Sequence, residues 1–195
     1  MVLTAQQGFD KINTTTEVVV KRILRTFNKA DHTAMGAGIV WYLEAQELVE
    51  YLAANSSYSI PQVAAAMAHL SPKLRWKQNV DSIKMLVLTG ELPAYIMAGP
   101  GRRARRALES ANPEATFGKR ALKTLNFSRN VSGCEQSVTV DVWAAKVAGI
   151  SEKQLKLVGV YDAVAHAYRL AAKRVGLTPA QLQAVVWVVI RGSAD

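Results

Sequence analysis

The residue types in this sequence that best suit chemistry are a lysine and an aspartate, eighteen residues apart. Lys123 begins the run Lys-Thr-Leu-Asn, and Asp141 follows the β-prone run Val-Thr-Val and precedes a helical pattern. A carboxylate that opens a helix accepts N–H bonds from the first turn, which favours its ionised form and fixes its direction. Such an anion can stabilise a developing cation, and a lysine amine can act as a nucleophile or bind a phosphate. The pair predicts chemistry on a nucleic-acid base, with Asp141 and Lys123 as candidate catalytic residues.

Both residues also have ordinary structural interpretations. Aspartate is a common N-cap, and lysine commonly lies on the solvated face of a helix. The spacing along the chain does not establish whether the two side chains meet. Capping for Asp141 and solvation for Lys123 are therefore the alternatives to a catalytic pair.

The composition predicts one helical domain over residues 1–195 and a polyanionic partner. Half of the 195 residues are hydrophobic, which is enough for a buried core. The formal net charge is +9, from 24 lysines and arginines against 15 aspartates and glutamates. A strongly basic chain favours nucleic acid, before a membrane surface, as the partner.

Cysteine and histidine usage argues against a metal centre. Cys134 is the single cysteine, so the chain forms no internal disulfide, and it suits a reducing cytoplasm. The three histidines are far apart and show no metal-ligand spacing. We therefore predict no metal and no cofactor. The polar start of the chain predicts no secretory signal, and the most apolar run, 184–190, is too short to span a membrane.

Apolar spacing and capping residues predict an all-α fold. One capping box is predicted from Thr14 and Glu17, and the last helix is predicted to begin with Thr178 as its cap. An irregular stretch is predicted at 91–101. Helices are predicted over residues 15–28, 34–54, 63–70, 76–88, 102–108, 118–130, 141–149, 160–175 and 179–190.

Three segments resemble the helix-hairpin-helix DNA glycosylase superfamily, in its endonuclease III-like group. Lys-Thr-Leu-Asn at 123–126 resembles the Lys-Thr-Ala-Asn that follows that group's hairpin, and Val-Asp at 140–141 resembles its Val-Asp at the same spacing. Leu-Ser at 70–71, followed by Asn79, resembles its Leu-Ser-Ala-Gln segment and trailing asparagine. The resemblance implies a two-lobed helical domain with a core at about 61–150, completed by flanking helices at 14–54 and 160–191.

The same resemblance implies a role for individual residues. Asp141 would stabilise the sugar oxocarbenium ion, or activate a nucleophile, as the N-glycosidic bond of an extruded base breaks. Lys123 would match the Schiff-base lysine of bifunctional members. Lys73 falls where that group has a glutamine that fills the gap left by the extruded base. The implied protein is a DNA-binding hydrolase.

The predicted hairpin departs from the pattern of that group. The group has Leu-Pro-Gly-x-Gly before the lysine, whereas residues 117–122 contain one glycine, Gly118. Two glycines bring backbone N–H groups close to a phosphate. Here Lys119 and Arg120 could supply side-chain charge in their place. The iron–sulfur cysteines of endonuclease III are also absent.

The chain is also similar to a phage-encoded branch of this superfamily that lacks the iron–sulfur cluster. That branch comprises glutamyl- or putrescinyl-thymine pyrophosphorylases and amino acid:DNA transferases. The similarity implies that an amine displaces a leaving group on a modified thymine near Asp141, in the cytoplasm of an infected host or at its nucleoid. It is carried by Trp-Tyr at 41–42, Leu-Ser-Pro at 70–72, Trp76 with Asn79, Val-Thr-Val-Asp at 138–141, and Gln-Ala-x-x-Trp at 183–187 before Arg191.

Further candidates would line a base pocket or bind the DNA backbone. The pocket candidates are Trp41, Tyr42, Glu44, Trp76 and Asn79, although aromatic residues in helices also fill cores and Glu44 suits a solvated surface. Arginines 102, 105 and 106 recur at a spacing that shares one helix face, while 103 points elsewhere. The DNA-binding candidates are Lys73, Arg75, Arg102, Arg105, Arg106, Lys119, Arg120 and Arg129.

Three function classes stay open from the sequence. The favoured one is an enzyme that cleaves or modifies an extruded DNA base with Asp141. The second is a catalytically inactive relative that binds DNA or a host protein through the same basic surface. The third is a helical interaction module in which the lysine-to-aspartate spacing is accidental.

Overall fold

The structure is a computed structural model that describes residues 4–192. Its fold is all-α, as predicted, and these residues contain no β-strand. A 3₁₀ helix lies at Pro113–Thr116. The α-helices are α1 (Ala5–Asp10), α2 (Thr16–Phe27), α3 (His32–Ala54), α4 (Ile60–Leu70), α5 (Trp76–Thr89), α6 (Ala98–Glu109), α7 (Leu122–Val131), α8 (Val142–Ala148), α9 (Glu152–Leu155), α10 (Val160–Val175) and α11 (Pro179–Arg191).

Two helices begin four residues away from their predicted starts. Helix α6 begins at Ala98, because Pro100 lies in its first turn, where a missing N–H costs nothing. Helix α7 begins only at Leu122. The residues before it form a turn in which the Ala121 N–H donates to the Gly118 carbonyl at 2.8 Å. Helices α1 and α9 and the 3₁₀ helix were not predicted from the sequence.

The predicted capping box at the start of α2 is wrong. The N-cap is Thr15, whose hydroxyl accepts the Val18 N–H at 3.3 Å. Glu17 does not reach back to the cap. Its carboxylate forms an ion pair with Arg174 at 2.7 Å, and this partner lies 157 residues away along the chain, so no local pattern could predict it.

Residue contacts divide the chain into two compact units. The first holds the described residues of 1–42 and 135–194, and the second holds residues 43–134. The predicted core at about 61–150 includes residues of both units. Helix α8, which follows Asp141, packs against α2 and α11, so it belongs with the terminal helices. Helix α3 begins in the first unit and ends in the second.

Helix α4 is the centre of the second unit. Its residues 63–70 are all buried, and it packs against α5, α6 and α7. Helix α6 turns Gly101, Ala104, Ala107 and Leu108 inward. The arginines of the same helix lie on its exposed side, as predicted.

His69 joins α4 to the segment before α7. Its ring stacks on Phe117 at 4.2 Å between centroids, and its Nε2 lies 2.8 Å from the Thr116 hydroxyl oxygen. The Thr116 hydroxyl donates to the Pro113 carbonyl, so Nε2 must be the donor to Thr116. His69 is only 4% exposed. Burial, together with the nearby Arg103 charge, lowers the pKa of His69 to about 4.

We expect this buried histidine to make stability depend on pH. The unfolded chain binds a proton at His69 near pH 6.5, whereas the folded chain does so only near pH 4. Stability is therefore lost as the pH falls through this window, by about 2 to 3 kcal/mol for this group. The test is denaturant unfolding near pH 7 and near pH 4.5 for the wild type and His69→Gln, which can still donate to Thr116 but does not titrate. Equal losses in the two proteins would contradict the assignment.

None of the described helices combines the length and apolar character that a membrane crossing requires.

Candidate active site

Asp141 lies partly exposed at the N-terminus of α8, and both of its carboxylate oxygens accept a hydrogen bond. As predicted, it is the N-cap, and its Oδ1 accepts the Ala144 N–H at 2.7 Å. Its Oδ2 accepts the indole N–H of Trp187 at 3.1 Å. Both donors are neutral. Within residues 4–192, no basic side chain forms an ion pair with Asp141. The carboxylate is thus held in direction by two neutral donors and not by an ion pair with any described residue.

Helix α8 is fixed along its length by side chains from other helices. The Tyr168 hydroxyl, on α10, donates to the Ala144 carbonyl at 3.0 Å. At the far end, the Arg22 guanidinium donates to the Ala148 carbonyl at 3.2 Å. It also packs over Gly149, which has a φ of +73°. These contacts hold rigid the helix that carries Asp141.

The segment 138–140, which leads into Asp141, is buried and has a tyrosine as a polar partner. The Tyr161 hydroxyl donates to the Val138 carbonyl and accepts the Val140 N–H, each at 3.0 Å. A single hydroxyl thus satisfies two backbone groups that a neighbouring strand would otherwise pair.

Tyr42 is a core residue. It is 6% exposed, and its hydroxyl donates to Gln183 Oε1 at 2.8 Å. Burial raises the pKa of Tyr42 well above its ordinary value, and the negative charge of Asp141 adds to this rise. The hydroxyl therefore stays neutral. These contacts favour the core interpretation of Tyr42 over the pocket interpretation.

Trp41 and Trp187 form an aromatic wall beside Asp141. Both are half-buried, and their ring centroids lie 5.8 Å apart with an interplanar angle of 53°. Trp41 also meets the Tyr42 ring edge-on at 4.8 Å. The Arg191 guanidinium lies over the Trp187 ring, 4.5 Å from its centroid. Stacking on exposed aromatic faces is the usual way to hold a flat heterocycle.

Trp187 and Arg191 were not among the site candidates from the sequence. Both appeared in the motif at 183–191, and the spacing of four residues already placed them on one helix face. The sequence could not show that the Trp187 indole reaches Asp141. That contact depends on how α11 packs against α8.

The remaining pocket candidates and Lys123 belong to the second unit. Lys123 is exposed in the first turn of α7, and Glu44 is exposed on α3. Trp76 is half-buried at the first position of α5. Asn79 is only 3% exposed, and its Oδ1 has no hydrogen-bond partner among residues 4–192. Asp141 belongs to the first unit, so the proposed pairing with Lys123 stays a prediction.

The DNA-binding candidates also lie in the second unit. Arg105 donates to the Gly90 carbonyl at the end of α5, and Arg129 forms a two-pronged ion pair with Glu114 at 2.7 Å. Lys73 has a φ of +68°, which is uncommon for a lysine. The candidates classed as exposed are Lys73, Arg75, Arg102, Arg105, Arg106, Lys119 and Arg120.

No group of three or more His, Cys, Asp or Glu side chains in the described part of the chain is arranged to hold a metal ion.

Comparison with known proteins places the chain in a family. A comparison with the curated proteins and a comparison with the solved structures each gave no match. The model of a family of unknown function, DUF7178, matches residues 6–194. Because this match covers nearly the whole sequence, the chain belongs to the DUF7178 family.

Proposed function

We propose that this protein acts on DNA and uses Asp141 to cleave the N-glycosidic bond of an extruded base, or to modify that base. When the bond between the sugar and the base breaks, its electron pair leaves with the base and positive charge develops on the sugar. A carboxylate aimed at this position lowers the barrier most when it needs no reorganisation. Hydrolysis is completed when water adds to the sugar carbon and the proton that it loses passes to the departed base.

The observation that carries the proposal is the state of the Asp141 carboxylate. It is partly exposed, fixed by two neutral donors and free of ion pairs within residues 4–192. A capping aspartate that only stabilises its helix needs one of these bonds. The aromatic wall of Trp41 and Trp187 supports the same function, because a planar base would stack beside the carboxylate.

The exposed arginines of α6 support DNA as the partner. Arg102, Arg103 and Arg106 are exposed and form no ion pair in the described part of the chain. Cations of this kind bind phosphates and release counterions, which makes the affinity depend steeply on salt. With a net charge of +9, binding near physiological ionic strength is the expected behaviour.

We expect Arg102→Gln to weaken DNA binding uniformly across sequences. If Arg102 contacts one phosphate, the slope of log affinity against log salt should fall by about one. Binding is measured by fluorescence anisotropy at several salt concentrations, with Arg174→Gln as the control because Glu17 already pairs with that arginine. An unchanged slope in Arg102→Gln would exclude this arginine from the DNA interface.

The alternative function is an inactive relative that binds DNA or a host protein. The observation that favours it is the turn before α7. Gly118 is the one glycine of residues 117–122, and it is not in the left-handed conformation. The turn therefore does not use glycine to bring backbone N–H groups close to a phosphate. An inactive binder would keep salt-dependent binding and show no turnover.

The proposed function is tested by incubating the protein with duplex and single-stranded DNA that carry normal, uracil, oxidised, alkylated or 5-substituted thymine bases. Mass spectrometry then detects released bases and altered strands. A released base or a mass change on at least one substrate supports the enzyme. Intact DNA in every sample, together with salt-dependent binding, supports the inactive binder.

A further inference from the structure

We propose that Trp187 is a positioning residue for Asp141 and that Arg191 holds Trp187 in the orientation this requires. This role rests on the proposed function, in which Asp141 is the catalytic carboxylate. Arg191 would then act without touching Asp141 itself. Neither Trp187 nor Arg191 emerged as a site residue from the sequence.

The helix cap alone does not fix the plane of the Asp141 carboxylate. The bond between Oδ1 and the Ala144 N–H fixes one oxygen. The terminal torsion of an aspartate is broad, so the plane of the carboxylate can still rotate about that point. The Trp187 indole N–H, 3.1 Å from Oδ2, fixes the second oxygen and with it the plane.

The group that orients Asp141 must be neutral if the carboxylate is to stabilise a cation. An arginine or lysine could orient Asp141 equally well, but it would neutralise the carboxylate that has to face a developing cation. An indole N–H is neutral and donor-only. The nearby Arg191 cation is instead held on the Trp187 ring, 4.5 Å from its centroid. Trp187 thus orients Asp141, while the Arg191 guanidinium makes a cation–π contact with the indole ring.

The Trp187 indole is itself held in place by two neighbouring side chains. Trp187 is half-buried, so the core does not fix its ring on all sides. Trp41 contacts it at 5.8 Å between centroids, and Arg191 lies over the ring. Arg191 is one helical turn after Trp187, which lets its guanidinium reach the indole of the same helix. Removing the Arg191 charge should therefore loosen the indole.

The test follows the four tryptophan indole N–H signals by NMR in protein labelled with ¹⁵N, assigned with single Trp→Phe variants. Asp141→Ser keeps a hydroxyl that can cap α8 but has no group that reaches Trp187. We expect the Trp187 indole N–H of this variant to exchange with solvent about tenfold faster, which matches the loss of one hydrogen bond to a charged group. The amide N–H of Ala144 should stay protected.

A matched control comes from the second cation–aromatic pair in the same unit. Lys146 lies 5.3 Å from the centroid of Trp143. Arg191→Met should speed exchange at Trp187, whereas Lys146→Met should leave Trp187 unchanged. Equal Trp187 exchange in the wild type and Asp141→Ser would overturn the role of Trp187. An unchanged Trp187 signal in Arg191→Met would overturn the part assigned to Arg191.

An activity readout then separates positioning from simple support of the fold. Trp187→Phe keeps an aromatic ring and loses the N–H. With a reactive DNA substrate, we expect kcat to fall about tenfold with little change in KM, because only the transition-state interaction is lost. A rise in KM at unchanged kcat would contradict positioning. The indole measurement needs no turnover, so it decides this proposal even if no DNA substrate reacts.

Discussion

Asp141→Asn should slow turnover strongly while leaving DNA binding intact. Asparagine has nearly the size of aspartate and caps a helix equally well, so α8 should keep its start. The variant removes the negative charge that the proposed function places beside the reacting sugar. Loss of a preorganised electrostatic group of this kind costs about 100- to 1,000-fold in kcat. The measurement compares single-turnover rates and DNA affinities of the variant and the wild type.

The control for this prediction is Asp162→Asn. Asp162 is exposed on α10 and forms no ion pair among residues 4–192, so the variant makes the same change of charge in the same unit. We expect its turnover to match the wild type. A full rate in Asp141→Asn would exclude Asp141 as the catalytic carboxylate. Equal slowing in both variants would point to net charge as the cause.

Gly38→Ala should strongly destabilise the first unit. Gly38 lies on α3, where a Cβ would overlap the Cα of Val185 and lie 2.7 Å from its backbone nitrogen. Backbone atoms cannot move aside as a side chain can, so α3 and α11 would have to separate. Overpacking typically lowers the free energy of unfolding by about 1 to 3 kcal/mol. Because the added Cβ would meet backbone atoms, we expect Gly38→Ala to lower it by about 2 kcal/mol or more.

The packing of α3 against α11 also positions side chains of the candidate site. The same two helices carry the Tyr42–Gln183 hydrogen bond and the Trp41–Trp187 contact. We therefore expect the NMR signals of both tryptophan indoles to shift in Gly38→Ala. Denaturant unfolding measures the loss of stability.

Gly36→Ala is the matched control for this substitution. Gly36 lies two residues earlier on the same helix, and a Cβ there would meet nothing within 4 Å. Alanine has a higher helix propensity than glycine, so we expect the free energy of unfolding of this variant to rise by about 0.5 to 1 kcal/mol. If the two variants had the same stability, the close approach of α3 to Val185 would be wrong.

The elements that the sequence predicted well are those fixed by local interactions. The helix after Asp141 has a cap at its start and a glycine at its end, and both signals lie within nine residues. Helix α10 lies at the predicted residues 160–175, between two glycines that take the left-handed conformation. Local signals of this kind need no knowledge of the fold.

The turn before α7 shows where local reasoning fails. Lysine, arginine, alanine and leucine at 119–122 all favour a helix, which explains the predicted start at 118. The structure holds Phe117 on the ring of His69, and residues 118–121 form a turn. His69 lies 48 residues earlier in the chain, so only the folded unit brings the two rings together.

The candidate site also combines residues that local signals predict with contacts that depend on the fold. Asp141 could be chosen from the sequence, because its capping role follows from the next four residues. Trp41 and Tyr42 are neighbours in a helix with apolar residues on most sides, and periodicity alone could not tell which one faces the core. The bond from Trp187 joins residues 46 positions apart and depends on packing between helices.

The role of Asp141 is tested most directly by incubating the panel of modified DNAs with excess wild type or Asp141→Asn, side by side, and analysing the products by mass spectrometry. We expect a released base or a mass change on at least one substrate with the wild type, and intact DNA with the variant after the same time. The same product at the same rate from both proteins would contradict the assignment of Asp141. DNA that both proteins bind and leave intact would contradict the enzyme and favour an inactive DNA-binding protein.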